Sequence, residues 1–140
     1  MKKLMIIVLC VLLVQLVQGQ QEEKYSLRIN ITGIKKVSGK IGLCLITDKT
    51  EFLSDCSYYR EFKVEAKTLA IELRDIKVDT YAVTIYHDEN SNGELDTNFI
   101  GLPKERYGFS NNPSTRFGPP GFSKCLFKID KNTQIEMRLR

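Results

Sequence analysis

One histidine, His87, stands in a chain of 140 residues, and that scarcity excludes most nucleophilic chemistry, because a serine, threonine or cysteine nucleophile needs a base beside it. No G-x-S-x-G elbow is present, and Ser110 in "FSN" lacks the strand-to-helix setting that such a nucleophile requires. No C-x-x-C occurs either, which leaves no redox motif and no zinc-ligand pair. No window carries helical periodicity long enough for an amphipathic helix. No internal repeat or second domain is visible. Charge of one sign is also lacking: the formal balance is +4, and Lys2 and Lys3 account for half of it. So small an excess does not point to nucleic acid.

Apolar runs are short everywhere except at the start, "MKKLMIIVLCVLLVQLVQGQ". Two lysines precede an apolar stretch from Leu4 to Val14, and Val17 and Gly19 occupy the small-residue positions of a signal-peptidase site. The uninterrupted apolar part is shorter than the roughly 20 residues that span a bilayer. A cleaved leader over residues 1–19 is therefore expected, with an exported domain at 20–140 that is periplasmic or extracellular and not integral to the membrane. That domain retains Cys44, Cys56 and Cys125. An oxidising compartment permits one disulfide and leaves one thiol over. The spacing does not select among the three pairings. Cys125 alternates with Phe127 and Ile129 in "CLFKI", which suits a small buried apolar residue and makes it the expected free thiol.

What the sequence has in abundance is period-two alternation, the pattern of strands with one buried face. It runs through Leu27, Ile29 and Ile31; Ile41, Leu43 and Leu45; Phe62 and Val64; Leu69, Ile71 and Leu73; Tyr81, Val83 and Ile85; Phe127 and Ile129; and Ile135, Met137 and Leu139. Turn chemistry in "VSGK", "KVDT" and "DKNT" separates several of these runs. An all-β fold follows: a single-domain antiparallel β-sandwich of about seven strands, of immunoglobulin or transthyretin type. The connection over residues 88–123 is the exception to short turns. Loops of that length are either functional or disordered, and the Phe and Tyr content of this one argues for order.

The loop opens "DENSNGELD". Counting Asp88 as one puts Asp88, Asn90 and Asn92 at positions one, three and five, Gly93 at six, Glu94 at seven and Asp96 at nine. This is the start of a calcium loop, which needs hard oxygens on alternate residues of a tight turn, a glycine at positive φ, and a backbone carbonyl at seven. Leu95 stands where such loops pin themselves to the core. Position twelve is Phe99, where a bidentate Glu would stand, and helices are missing on both sides, so the loop is not an EF-hand. Calcium is the one cofactor indicated, weakly held by Asp88, Asn90, Asn92, Glu94 through its carbonyl, and Asp96, with Asn98 or Glu105 as further oxygen sources. The competing reading is an Asx-rich turn that bonds its own backbone.

The run "YAVTIYHDENSNGELDTNFIGLPKERYGFSNNP" closely resembles the signature of a bacterial exported family, domain of unknown function 2141, with its D-E-N-x-N-G-x-L-D-x-N loop, G-x-P-x-E segment and Y-G-F-S-N-N run. Asp79 stands where that family usually has a turn glycine, and Cys125 where it often has alanine. The resemblance implies a one-domain exported β-sandwich and brings no activity with it. The long loop is expected to return through Phe99, Ile100, Leu102 and Pro103 against the sandwich, with Tyr107 and Phe109 clamped over it and Asn111 and Asn112 bonding its backbone. In the alternative arrangement Tyr107, Phe109 and Phe117 form an exposed ligand surface. The favoured function is a non-catalytic exported domain, calcium-stabilised and ligand- or surface-binding, whose partner would be a cell-envelope protein or glycan. Its rivals are a purely structural envelope module and a small secreted enzyme working through His87.

Overall fold

The computed structural model describes residues 22–54 and 56–140. The expected leader at 1–19 lies outside them. Among the described residues the alternating runs become eight strands: β1 (Lys24–Thr32), β2 (Lys40–Ile46), β3 (Tyr59–Lys63), β4 (Leu69–Lys77), β5 (Asp79–Asp88), β6 (Tyr107–Phe109), β7 (Phe127–Ile129) and β8 (Thr133–Arg138). One sheet has the order β4-β1-β8. The other runs β3-β2-β5-β6, with β7 also pairing to β5. Leu27, Ile29, Ile31, Ile71 and Leu73 from the first sheet meet Ile41, Leu43, Val83, Ile85 and Ile129 from the second in one core. Of the residues whose burial the alternation foretells, Leu27, Ile29, Leu43, Leu45, Val83 and Ile85 are buried, while Phe127 is only partly covered.

Two features depart from a seven-stranded antiparallel sandwich. The first and last strands pair in parallel, with Ile29 opposite Ile135 and Ile31 opposite Met137. Side-chain alternation fixes a face and is blind to strand direction. Direction is set here by the approach: β7 lies antiparallel to the start of β5, and the chain then crosses to the other sheet, so that β8 runs alongside β1. Asn132 fixes the crossing by accepting from the Ser26 backbone N–H at 3.0 Å and from its hydroxyl at 3.1 Å. The second departure is β6, three residues inside the long loop, which place Gly108 opposite Ile85. A Cβ at Gly108 would lie 2.8 Å from the Arg138 carbonyl oxygen, so only glycine lets the chain end approach so closely.

The second sheet is covered on both sides. Cys44, Ile46 and Ala82 point away from the main core and join Phe109 and Cys125 in a smaller cluster, against which Phe52, Tyr107, Phe122 and Leu126 pack. Phe52 stands 5.9 Å from Phe109 and 5.3 Å from Phe122, centroid to centroid. The "YGFSNN" run builds this outer layer. Ser110, fully buried, accepts from the Val83 backbone N–H at 2.9 Å and donates to the Cys125 carbonyl. Asn111 and Asn112 both adopt left-handed backbone geometry, at φ 64° and 48°, which asparagine tolerates better than other non-glycine residues. Their side chains do not reach the long loop's first half. Asn111 donates to the carbonyls of Lys124 and Leu126, and Asn112 clasps β8 by donating to the Glu136 carbonyl and accepting from Arg138 N–H.

Candidate functional site: a loop-walled cleft

β5 ends at Asp88, and the calcium-like loop begins there. The Asp88 carboxylate, buried at 1 % exposure, accepts from the backbone N–H groups of Asn92 at 3.1 Å and Gly93 at 2.8 Å. Asn90 and Asn92 each accept from the N–H two residues on, the Asx geometry that winds the turn. Gly93, at φ 85°, supplies the positive dihedral that the spacing requires. Asp96 closes the ring, accepting from the side-chain amides of Asn90 at 2.7 Å and Asn92 at 3.0 Å. The five residues singled out by spacing are thus brought into one turn.

Glu105 staples the base of the turn. One carboxylate oxygen accepts from Glu89 N–H at 2.8 Å and the other from Asp96 N–H at 3.0 Å, with the residue 8 % exposed. Beyond Asp96 the chain makes a second, tighter turn in which Asn98 accepts from the N–H groups of both Ile100 and Leu102. That turn closes on itself and leaves Phe99 and Ile100 at its tip. The expectation that Phe99, Ile100 and Leu102 fold back against the sandwich is corrected: they are 99 %, 62 % and 56 % exposed. Leu95 reaches only a half-buried position on the wall of a cleft, short of the core.

That cleft, about 810 Å³, lies over the outer face of the second sheet. Its floor comes from β2, β3, β5 and β6 through Cys44, Tyr59, Thr84, Tyr86 and Phe109. Residues from three segments wall it: Glu51, Leu53, Ser54 and Cys56; Gly93, Leu95 and Thr97 with Gly101, Leu102 and Pro103; and Gly118 with Pro119. The Tyr86 hydroxyl donates to the Gly93 carbonyl at 2.9 Å and meets the Tyr59 hydroxyl at 2.7 Å, so a chain of two phenols ties the Asp88 loop to the sheet. Burial, followed by the bond to Tyr86, pushes the Tyr59 phenol far above its usual range; burial also raises Tyr86. Both therefore stay neutral at ordinary pH. Gly42 makes room for them, since a Cβ there would fall 2.3 Å from the Tyr86 ring and 2.8 Å from the Tyr59 hydroxyl.

A disulfide between Cys44 and Cys56, with Cα atoms 6.0 Å apart, anchors the first wall segment to β2. Among the described residues Cys125 is the free, buried thiol. Of the aromatics expected at a ligand surface, Phe109 is 4 % exposed and lies in the floor, Tyr107 is half-buried beside it, and Phe117 is 97 % exposed next to the Gly118 wall. His87 lies elsewhere, fully buried, with Nε2 2.8 Å from the Ser38 carbonyl oxygen and Nδ1 3.9 Å from the nearest Glu89 carboxylate oxygen. Tyr59, Tyr86 and Thr84 were missed as site residues. Their sequence signal was present in "KIGLCLI", an apolar run on both faces rather than one, which marks a strand covered on both sides.

The family model for uncharacterised proteins conserved in bacteria (DUF2141) matches residues 29–136, and the chain belongs to that family. No curated protein and no solved structure matches it.

Proposed function

We propose that this chain is an exported, non-catalytic binding domain whose ligand enters the cleft over the outer face of the second sheet. The observation that carries this reading is the coincidence of an apolar-lined cleft with exposed apolar side chains at its mouth. Leu53 and Leu102, two of the large hydrophobic residues exposed among those described, line it. A cleft of this size matches small-molecule sites, where apolar walls supply affinity and a few polar groups supply orientation. Thr84, Tyr59 and Tyr86 are those polar groups. The ligand is accordingly a largely apolar molecule with one hydrogen-bonding function. A non-catalytic reading fits the placement of His87 away from any hydroxyl or carboxylate at bonding distance, and of Ser110 in a structural clasp.

The probe is 8-anilino-1-naphthalenesulfonate. Wild-type protein is expected to bind it saturably at one site. Leu53→Glu and Leu102→Glu, which put a charge on the walls, weaken binding by about tenfold or more. Val37→Glu and Val78→Glu, at exposed apolar positions away from the cleft, leave it unchanged. Equal binding by all four variants, or no saturable binding by the wild type, contradicts the reading.

The wall loop takes calcium in the same proposal. Asp88, Asn90, Asn92, the Glu94 carbonyl and Asp96 fit a cation only in part, because Glu105 is engaged by two backbone N–H groups and the side-chain amides of Asn90 and Asn92 must turn away from Asp96. Affinity in the extracellular range of about 10⁻⁴ to 10⁻³ M follows. Calcium at about ten times its Kd adds roughly 1.4 kcal/mol of stability. Thermal melts in EDTA and in millimolar calcium are expected to differ by that increment in the wild type. Asp96→Asn, which keeps an acceptor and removes the charge, should lose the increment; an undiminished increment excludes this ligand set.

A further inference from the structure

The rim of the cleft carries a second property that the ligand reading does not use. Phe99 and Phe117 stand on separate turns, 99 % and 97 % exposed, and both turns border one cleft, which Gly101, Leu102 and Pro103 line together with Gly118 and Pro119. A phenyl ring held almost wholly in water on an ordered turn is unfavourable unless something else covers it. Within the two turns themselves the charge has one sign, while the carboxylates of Asp96 and Glu105, which flank the first turn, are taken up by the side-chain amides of Asn90 and Asn92 and by the N–H groups of Glu89 and Asp96. Residues 97–104 contain Lys104 and no carboxylate; residues 111–124 contain Arg116 and Lys124 and no carboxylate. All three cations are exposed, and none stands in an ion pair among the described residues. The Arg116 guanidinium lies 5.6 Å from the centroid of the Phe117 ring, so the cation and the apolar tip travel together.

We propose that these two turns dock the domain on an anionic lipid bilayer, with Phe99, Ile100 and Phe117 entering the interfacial layer and Lys104, Arg116 and Lys124 facing lipid headgroups. The pattern favours a bilayer over a folded partner. The tips are separate protrusions flanked by cations, which suits shallow insertion into a deformable, negatively charged layer; a protein partner would be met by a continuous patch with charge at its edges. Electrostatic attraction brings the domain to the surface, and burial of the rings holds it there.

Co-sedimentation with vesicles tests this. The chain, residues 20–140, is mixed with vesicles of phosphatidylcholine alone or with about one-third phosphatidylglycerol, an anionic content that gives the surface a negative potential. Binding is expected only with phosphatidylglycerol, and it should weaken as salt screens the attraction. Phe99→Ser with Phe117→Ser lowers vesicle affinity by about tenfold or more. Lys104→Glu with Arg116→Glu removes the preference for phosphatidylglycerol. Val37→Ser with Val78→Ser changes nothing. Because Phe99 and Phe117 are exposed, their variant still folds and still binds anilinonaphthalenesulfonate in solution, which separates failure of the docking proposal from failure of the cleft. Lack of binding to phosphatidylglycerol vesicles, or equal binding by the phenylalanine variant, overturns the proposal. So does sedimentation velocity showing that the two rings instead hold a dimer which the variant dissolves.

Discussion

Glu105→Ala is expected to lower stability by about 3 kcal/mol and the Tm by roughly 10 °C, read by a calorimetric or fluorescence melt. Two charge-assisted bonds disappear together, and the N–H groups of Glu89 and Asp96 at the base of the wall loop lose their acceptor. Hydrogen bonds to charged groups contribute about 1.5–3 kcal/mol each, and a buried donor left unpaired carries the full desolvation penalty. Glu105→Gln restores less than half, because its amide nitrogen would face one of the two donors. Glu94→Ala, exposed on the same loop, serves as the control and shifts the melt by no more than about 0.5 kcal/mol. A melt of Glu105→Ala indistinguishable from this control would remove Glu105 from its role as the staple.

Loss of the Cys44–Cys56 disulfide comes next. The two cysteines are separated by 12 residues, and closing a loop of that size in the unfolded chain is worth about 3 kcal/mol in the chain-entropy account. The double variant Cys44→Ala with Cys56→Ala is expected to show that loss in denaturant unfolding. Because the bridge holds one wall against β2, it should also weaken anilinonaphthalenesulfonate binding. Cys125→Ala, which removes a small buried group and no crosslink, costs only about 1 kcal/mol and leaves the dye bound. The reverse ranking would mean that Cys125 is bridged in solution.

The sandwich was legible because a single-residue slip would turn Leu27, Ile29 and Ile31 outward, so the alternation specifies both strand and face. Parallel pairing of β1 with β8 was not, since Ile135 and Met137 alternate identically in either direction. β6 escaped notice for a different reason: "YGF" is too short for a period to register, and its glycine reads as a turn until the Arg138 carbonyl is seen against it. The Asp88 turn was the most transparent part of the site, because Asx spacing and a glycine at positive φ are local chemistry. The second turn was misread from the same local evidence. Phe99, Ile100 and Leu102 look like anchors by composition, but Asn98 binds two of that turn's own N–H groups and leaves no reach toward the sheet. The cleft itself depends on three segments far apart in the chain, and a motif describes only one of them. Cys44, Ile46 and Ala82 facing away from the core were its one trace in the sequence.

The central claim is that the outer face of the second sheet is a binding site. It is tested most directly by mapping backbone amide shifts while anilinonaphthalenesulfonate is titrated into ¹⁵N-labelled protein. Shifts concentrated at Gly42, Cys44, Thr84, Tyr86, Gly93, Leu102, Tyr107 and Gly118, with β1, β4 and β8 silent, are the predicted result. Shifts centred on β1, β4 or β8, or none at saturating dye, would contradict it.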